Sequence, residues 1–153
     1  MNLREIYHKR KSARGFTFIE LMLVIALVAI LGVFIVPVGL SFYQSQLLGE
    51  TSDGLVSALR HAQRSALTST HDNAFGIFIT ADTYTIFEGS AYASRIVSED
   101  IVFSIPSTVT VSGLQEIVFS EMSGTPSAIG SVIISSGNKV SQIDVLASGN
   151  IER

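Results

Sequence analysis

RGFTFIELMLVIALVAILGVFIVPVGL, residues 14–40, decides how the rest of the chain is read. Between Glu20 and Glu50 no residue is charged, and residues 21–40 include no side chain more polar than Gly. Twenty helical residues rise about 30 Å, the thickness of a bilayer's hydrocarbon core. A buried helix of a soluble core rarely runs that far without one polar position, so the pattern predicts a membrane-inserted helix. A cleaved secretory signal fits less well. Its apolar core should span only about 7–15 residues and end at a small-x-small site, whereas Val38-Gly39-Leu40-Ser41-Phe42-Tyr43 follows here.

Charge is divided on either side of this stretch. Residues 1–15 hold Arg4, Lys9, Arg10, Lys11 and Arg14 against Glu5, a net +4, while the remaining chain holds five basic and twelve acidic residues. A basic head before an apolar helix places the N-terminus in the cytoplasm and the acidic body outside. The 153 residues suffice for one ordinary domain. With 47% apolar residues and mean hydropathy +0.45, the composition excludes global disorder. The absence of cysteine excludes a disulfide scaffold, a thiolate metal site and a thiol nucleophile.

Glu20 is the odd residue, a carboxylate at the start of an apolar helix. Thr17-x-x-Glu20 fits a capping box, and an acid in the first turn suits the helix dipole. The string Arg14-Gly15-Phe16-Thr17-Phe18-Ile19-Glu20-Leu21-Met22 also resembles the leader junction of type IV prepilins and pseudopilins. That resemblance implies cleavage after Gly15 by a prepilin peptidase, which also N-methylates the new terminus, Phe16. It makes Glu20 the fifth mature residue and sets Pro37 at mature position 22, where many members carry a proline. In the family the glutamate meets the N-terminal amine of a neighbouring subunit, so Glu20, Thr17 and Pro37 become the expected assembly residues. The physics agrees, because cleavage removes the basic head and creates an α-amine largely protonated at neutral pH.

Beyond the apolar run, Leu48, Leu55, Leu59, Ala62 and Ala66 share one helical face, with Glu50, Asp53, Arg60, Gln63 and Arg64 largely on the others. The helix is expected to continue to about Thr70, with bending or local melting near Pro37, and to stop in Ser69-Thr70-His71-Asp72-Asn73. The period then changes from helical to alternating. Residues 75–79 and 83–88 form a hairpin around Ala81-Asp82. Further strands are expected at 100–105, 108–112, 116–120, 131–135 and 139–146, the last two joined by Ser136-Gly137-Asn138. Residues 89–94 and 123–130 read as loops. The expected fold is α+β: a leader at 1–15, a transmembrane or filament-core helix at 16–43, an amphipathic helix at 44–70, and an antiparallel β head at 71–153. Leu59-Arg60-His61-Ala62-Gln63-Arg64-Ser65-Ala66 followed by hairpins is similar to the H-type minor pseudopilins and related minor pilins. It departs from their pattern at His61 and Gln63.

Catalytic patterns are thin. His8, His61 and His71 are scattered; no Gly-x-Ser-x-Gly elbow and no nucleotide-binding glycine pattern occurs. Neither Glu99-Asp100 nor Asp82 with Glu88 makes a calcium loop. Major pseudopilins often bind calcium, but that property transfers to no residue here. No cofactor, metal site or enzymatic activity is expected. Five basic residues among twelve acids in the body, Arg60, Arg64, Arg95, Lys139 and Arg153, argue against nucleic acid as a partner. The resemblance implies other partners: the prepilin peptidase and methyltransferase, other pilin or pseudopilin subunits, the inner-membrane assembly platform, and the lipid bilayer before assembly. The expected function is a structural subunit of a type IV pilus or type II secretion pseudopilus. The alternative is an uncleaved single-pass anchor displaying a β-domain receptor.

Overall fold

The structure, a computed structural model, describes residues 15–68 and 73–153; at 34–38 it describes the helical backbone but not the side chains. The basic leader, His71-Asp72 and most of the expected helix stop therefore lie outside the described residues. Two compact units meet between Gly39 and Leu40.

One helix, α1 (Phe18–Leu67), runs through both units. Its assignment is unbroken at residue 37, so the local melting expected there is not found. A proline removes one donor from the ladder, and one missing bond does not end a helix that continues on both sides. In the first unit the large apolar side chains described between Phe18 and Val33 are all exposed, from Val24 at 46% to Phe18 at 76%. Among the described residues no helix is long and apolar enough to cross a membrane; the described apolar side chains stop at Val33 and resume at Gly39.

In the second unit the helix buries one face. Leu48, Leu55, Ala58, Leu59, Ala62 and Ala66 are all buried, as the periodicity predicts, and the expected polar positions are exposed except Gln63. Three alanines and the buried Ser52 on this face permit close approach of the sheets, and Ser52 Oγ lies 3.0 Å from Ser141 Oγ.

Eight strands follow: β1 (Phe75–Ile79), β2 (Thr83–Glu88), β3 (Ile101–Ser104), β4 (Thr110–Gly113), β5 (Glu116–Phe119), β6 (Gly130–Ser136), β7 (Lys139–Val145) and β8 (Ile151–Glu152). They form two four-stranded sheets, ordered β3-β2-β1-β5 and β4-β6-β7-β8, with every pairing antiparallel. The expected hairpins are present, with Ile77 opposite Ile86 in one and Ser136 opposite Lys139 in the other. Gly137 takes φ +57°, as a two-residue hairpin turn requires. Ile77, Ile86, Ile117, Phe119, Val132, Ile134, Ile143 and Val145 join the helix face in a single core.

The expected loop at 89–94 does more than connect. It holds a single 3-10 turn, Tyr92–Ser94, and a second follows at Val97–Glu99. Tyr92 stacks on Phe78 with centroids 4.0 Å apart and meets Phe87 edge-on at 5.5 Å. This cover explains why Phe87 is fully buried and why β2 is buried on both faces. Gly76, opposite Phe87 in the ladder, makes room for the ring: a Cβ there would lie 2.5 Å from Phe87 Cζ and 2.9 Å from the Ile117 carbonyl. The expected loop at 123–130 likewise carries a bridge between Phe119 and Pro126, and Gly130 already belongs to β6.

Candidate functional site: the N-terminal junction

Gly15, Phe16 and Thr17 precede the helix and are exposed. Apart from its chain neighbours, no described residue comes within 4 Å of where a Gly15 side chain would begin, and Phe16 is 82% exposed. A hydrolase must reach the peptide bond in extended form, and the backbone of Gly15 and Phe16 lies outside the helix.

The helix starts where the capping pattern places it. The Glu20 backbone N–H donates to Thr17 Oγ1 at 3.3 Å, and the Thr17 N–H donates to Glu20 Oε2 at 3.5 Å. The Leu21 N–H donates to the Thr17 carbonyl at 3.1 Å, the first bond of the ladder. Thr17 is thus the N-cap and Glu20 the reciprocal partner three residues on. Both bonds are long and solvent-exposed, so the cap positions the carboxylate at the start of the helix without occupying it fully. The Thr17 N–H belongs to the Phe16–Thr17 amide, so a cut between Gly15 and Phe16 would leave the cap intact. The structure brings Gly15, Phe16, Thr17 and Glu20 together within six residues, whereas the Pro37 side chain lies outside the described residues.

At the far end of the helix the closing groups come from the head. The Met122 N–H donates to the Ala66 carbonyl at 2.9 Å, satisfying one of the last acceptors of the helix. Gln63 Nε2 donates to the carbonyl of Gly149 at 2.8 Å and of Gly124 at 3.3 Å, tying two loops to the helix. Sequence reasoning placed Gln63 on the polar face and missed this role; its distance from both loops in sequence left no local signal.

Four of the five basic residues of the body are held by protein groups. Arg95 pairs with Asp100 at 2.7 Å and lies over the Tyr92 ring, Arg153 pairs with Asp53, Arg60 reaches the Ile151 carbonyl, and Lys139 donates to Ser45 Oγ. The Asp100 carboxylate holds the Arg95 guanidinium above its ordinary pKa. Asp144, bonded by Ser131 and Gln142, is held below the usual carboxylate range. His61 is exposed on the helix, and among the described residues no group of three or more acidic or histidine side chains could hold a metal.

Residues 10–36 match the family described as the prokaryotic N-terminal methylation motif. The match spans the cap, the exposed Gly15–Phe16 bond and most of the apolar run, and it supports a type IV pilin or pseudopilin-like chain. The motif marks structural rather than enzymatic proteins and implies a membrane-anchored precursor processed by a prepilin peptidase. No curated protein and no solved structure matches the chain.

Proposed function

We propose that the chain is a minor pilin or pseudopilin subunit of a type IV pilus or type II secretion pseudopilus. The observation that carries this reading is the junction itself: an exposed Gly15–Phe16 bond one residue before a Thr17–Glu20 cap, inside the segment that matches the methylation motif. The prepilin peptidase cuts between Gly15 and Phe16 and methylates Phe16. The loss of the basic leader releases the N-terminus from its cytoplasmic hold. The precursor sits in the inner membrane with its N-terminus in the cytoplasm, and the assembly platform then draws it into a periplasmic or extracellular filament.

In that filament the apolar residues exposed along α1 pack against other subunits, and Glu20 meets a neighbour's N-terminal amine. The two unit charges at about 4 Å attract by about 4 kcal/mol at an effective dielectric of 20. Such a pair chiefly fixes register between subunits, since an unpaired carboxylate between apolar helices costs several kcal/mol. Any unwinding at Pro37 belongs to the assembled state. The engaged arginines Arg60, Arg95 and Arg153 support a subunit without nucleic-acid affinity.

The minor assignment rests on the likeness of residues 59–66 to H-type subunits. The division into a leader at 1–15, a core helix at 16–43, an amphipathic helix at 44–70 and a head at 71–153 follows from the same reading. The alternative, an uncleaved anchored receptor, draws support from the Thr17–Glu20 cap, which needs no cleavage to form. Filament recovery separates the two. Co-expressed with its own assembly machinery, the chain is expected in the sheared filament fraction; confinement to the membrane fraction would refute the subunit reading.

A further inference from the structure

The turn of the β6–β7 hairpin lies against the helix close to the end of the apolar run. Lys139 Nζ donates to Ser45 Oγ, and a Cβ on Gly137 would lie 2.6 Å from Gln44 Oε1. These contacts fall four and five residues after Leu40, the last residue of the apolar stretch. At 1.5 Å per helical residue they stand about 6–8 Å beyond it along the helix. The polar layer on each side of a bilayer is about 5–7 Å thick. With Leu40 at the edge of the hydrocarbon and residues 40–45 of the helix along the bilayer normal, the hairpin turn is level with the lipid headgroups.

The residues at that level suit the place. Phe42 and Tyr43 are 70% and 55% exposed, aromatic side chains of the type that collect at membrane interfaces. Gly137, Asn138, Lys139 and Val140 are exposed at the turn, Val140 at 66%. Lys139 is the one lysine beyond the leader. Its ammonium has three donors, and the bond to Ser45 leaves two for an acceptor outside the protein.

We propose that the β6–β7 turn is a membrane-surface foot, in which Lys139 donates to the phosphate of an anionic lipid while Phe42 and Tyr43 lie among the headgroups. This rests on the reading of residues 21–40 as membrane-inserted before assembly. The foot fixes how far the helix is drawn into the bilayer, and extraction into a filament has to break it. A single lysine at an anionic surface changes the ratio of bound to unbound populations by about fivefold.

The chain has no cysteine, so one introduced cysteine gives one labelled position. The full chain, reconstituted in vesicles of phosphatidylethanolamine and phosphatidylglycerol, would carry a nitroxide at Asn138→Cys or at Val28→Cys. Collision rates with oxygen and with a nickel chelate report depth. The expected result sets the Val28 label in hydrocarbon and the Asn138 label at the phosphate level. Adding Lys139→Glu, or the milder Lys139→Gln, should shift the Asn138 label toward water, with about a fivefold change in the headgroup-to-water population ratio for the neutral variant. A Val28 label in hydrocarbon with an Asn138 label in bulk water would overturn the foot and leave the anchored reading standing. A Val28 label in water would overturn both. An Asn138 label at the phosphate level that ignores both Lys139 variants would overturn the ammonium–phosphate contact.

Discussion

Glu20→Gln separates the two roles that one side chain can play at the junction. The cap observed between Thr17 and Glu20 uses bonds of 3.3 and 3.5 Å, both exposed. Losing an N-cap typically costs about 1 kcal/mol, and these long bonds belong at the low end of that range. Glutamine serves the same position in a capping box, so Glu20→Gln should leave the helix start nearly unchanged. The charge is a different matter. An amine–carboxylate pair held between apolar helices contributes about 4 kcal/mol at 4 Å and an effective dielectric of 20; a fully solvated pair contributes about 1 kcal/mol or less. An intermediate value still corresponds to at least about a tenfold loss of incorporation. The assay compares filament-borne with membrane-borne subunit in cells carrying the native machinery. Glu20→Gln and Glu20→Ala should both insert, be cleaved and then fail to assemble, while Thr17→Ala should incorporate within a few-fold of the parent. Normal incorporation of Glu20→Gln would refute the charge pairing, and a defect in Thr17→Ala as deep as in Glu20→Ala would assign the residue to the cap.

Other consequences concern the head. Leu59→Ala empties a fully buried position of the helix face and should cost about 2–5 kcal/mol, lowering the melting temperature of the detergent-solubilised chain by roughly 10 °C or more in near-UV dichroism. Gly76→Ala forces a methyl into Phe87 and the Ile117 carbonyl, and about 1–3 kcal/mol of destabilisation should appear in urea unfolding. Gln63→Ala abandons the carbonyls of the buried Gly124 and Gly149; a loss of about 1–3 kcal/mol is expected, with faster hydrogen exchange confined to those two loops. Asp144 is held below the ordinary carboxylate range by Ser131 first and Gln142 second. Its contribution to folding is present above the unfolded pKa and lost as pH falls through the folded value, so Ser131→Ala should raise the pKa in a carbon-detected titration.

What was legible in the sequence was local. Apolar spacing over Leu48 to Ala66 gave the buried helix face, alternation at 75–79 gave β1, and the Gly137-Asn138 turn gave the β6–β7 register. The division into two sheets was not legible. β3 and β4 are separated by only five residues yet enter different sheets, and the partner of β1 on its other edge is β5, some forty residues later. Such choices depend on long-range packing that periodicity does not encode. The two-residue β8 is too short to show a period. Phe78, on the outward face of β1 by alternation, is half-buried because Tyr92 folds over it from a segment with ordinary loop composition. At the junction the capping box was readable from Thr17 and Glu20 alone, since its geometry lies within four residues.

The most direct test of the account is the mass of the mature chain. The full-length protein, co-expressed with its own prepilin peptidase, would be purified for intact-mass and N-terminal peptide measurement. The account predicts a chain that begins at Phe16 with that residue about 14 Da heavy, the mass of one added methyl group on the terminal amine. A chain that still begins at Met1 under those conditions would contradict it and return Glu20 to the role of a helix cap.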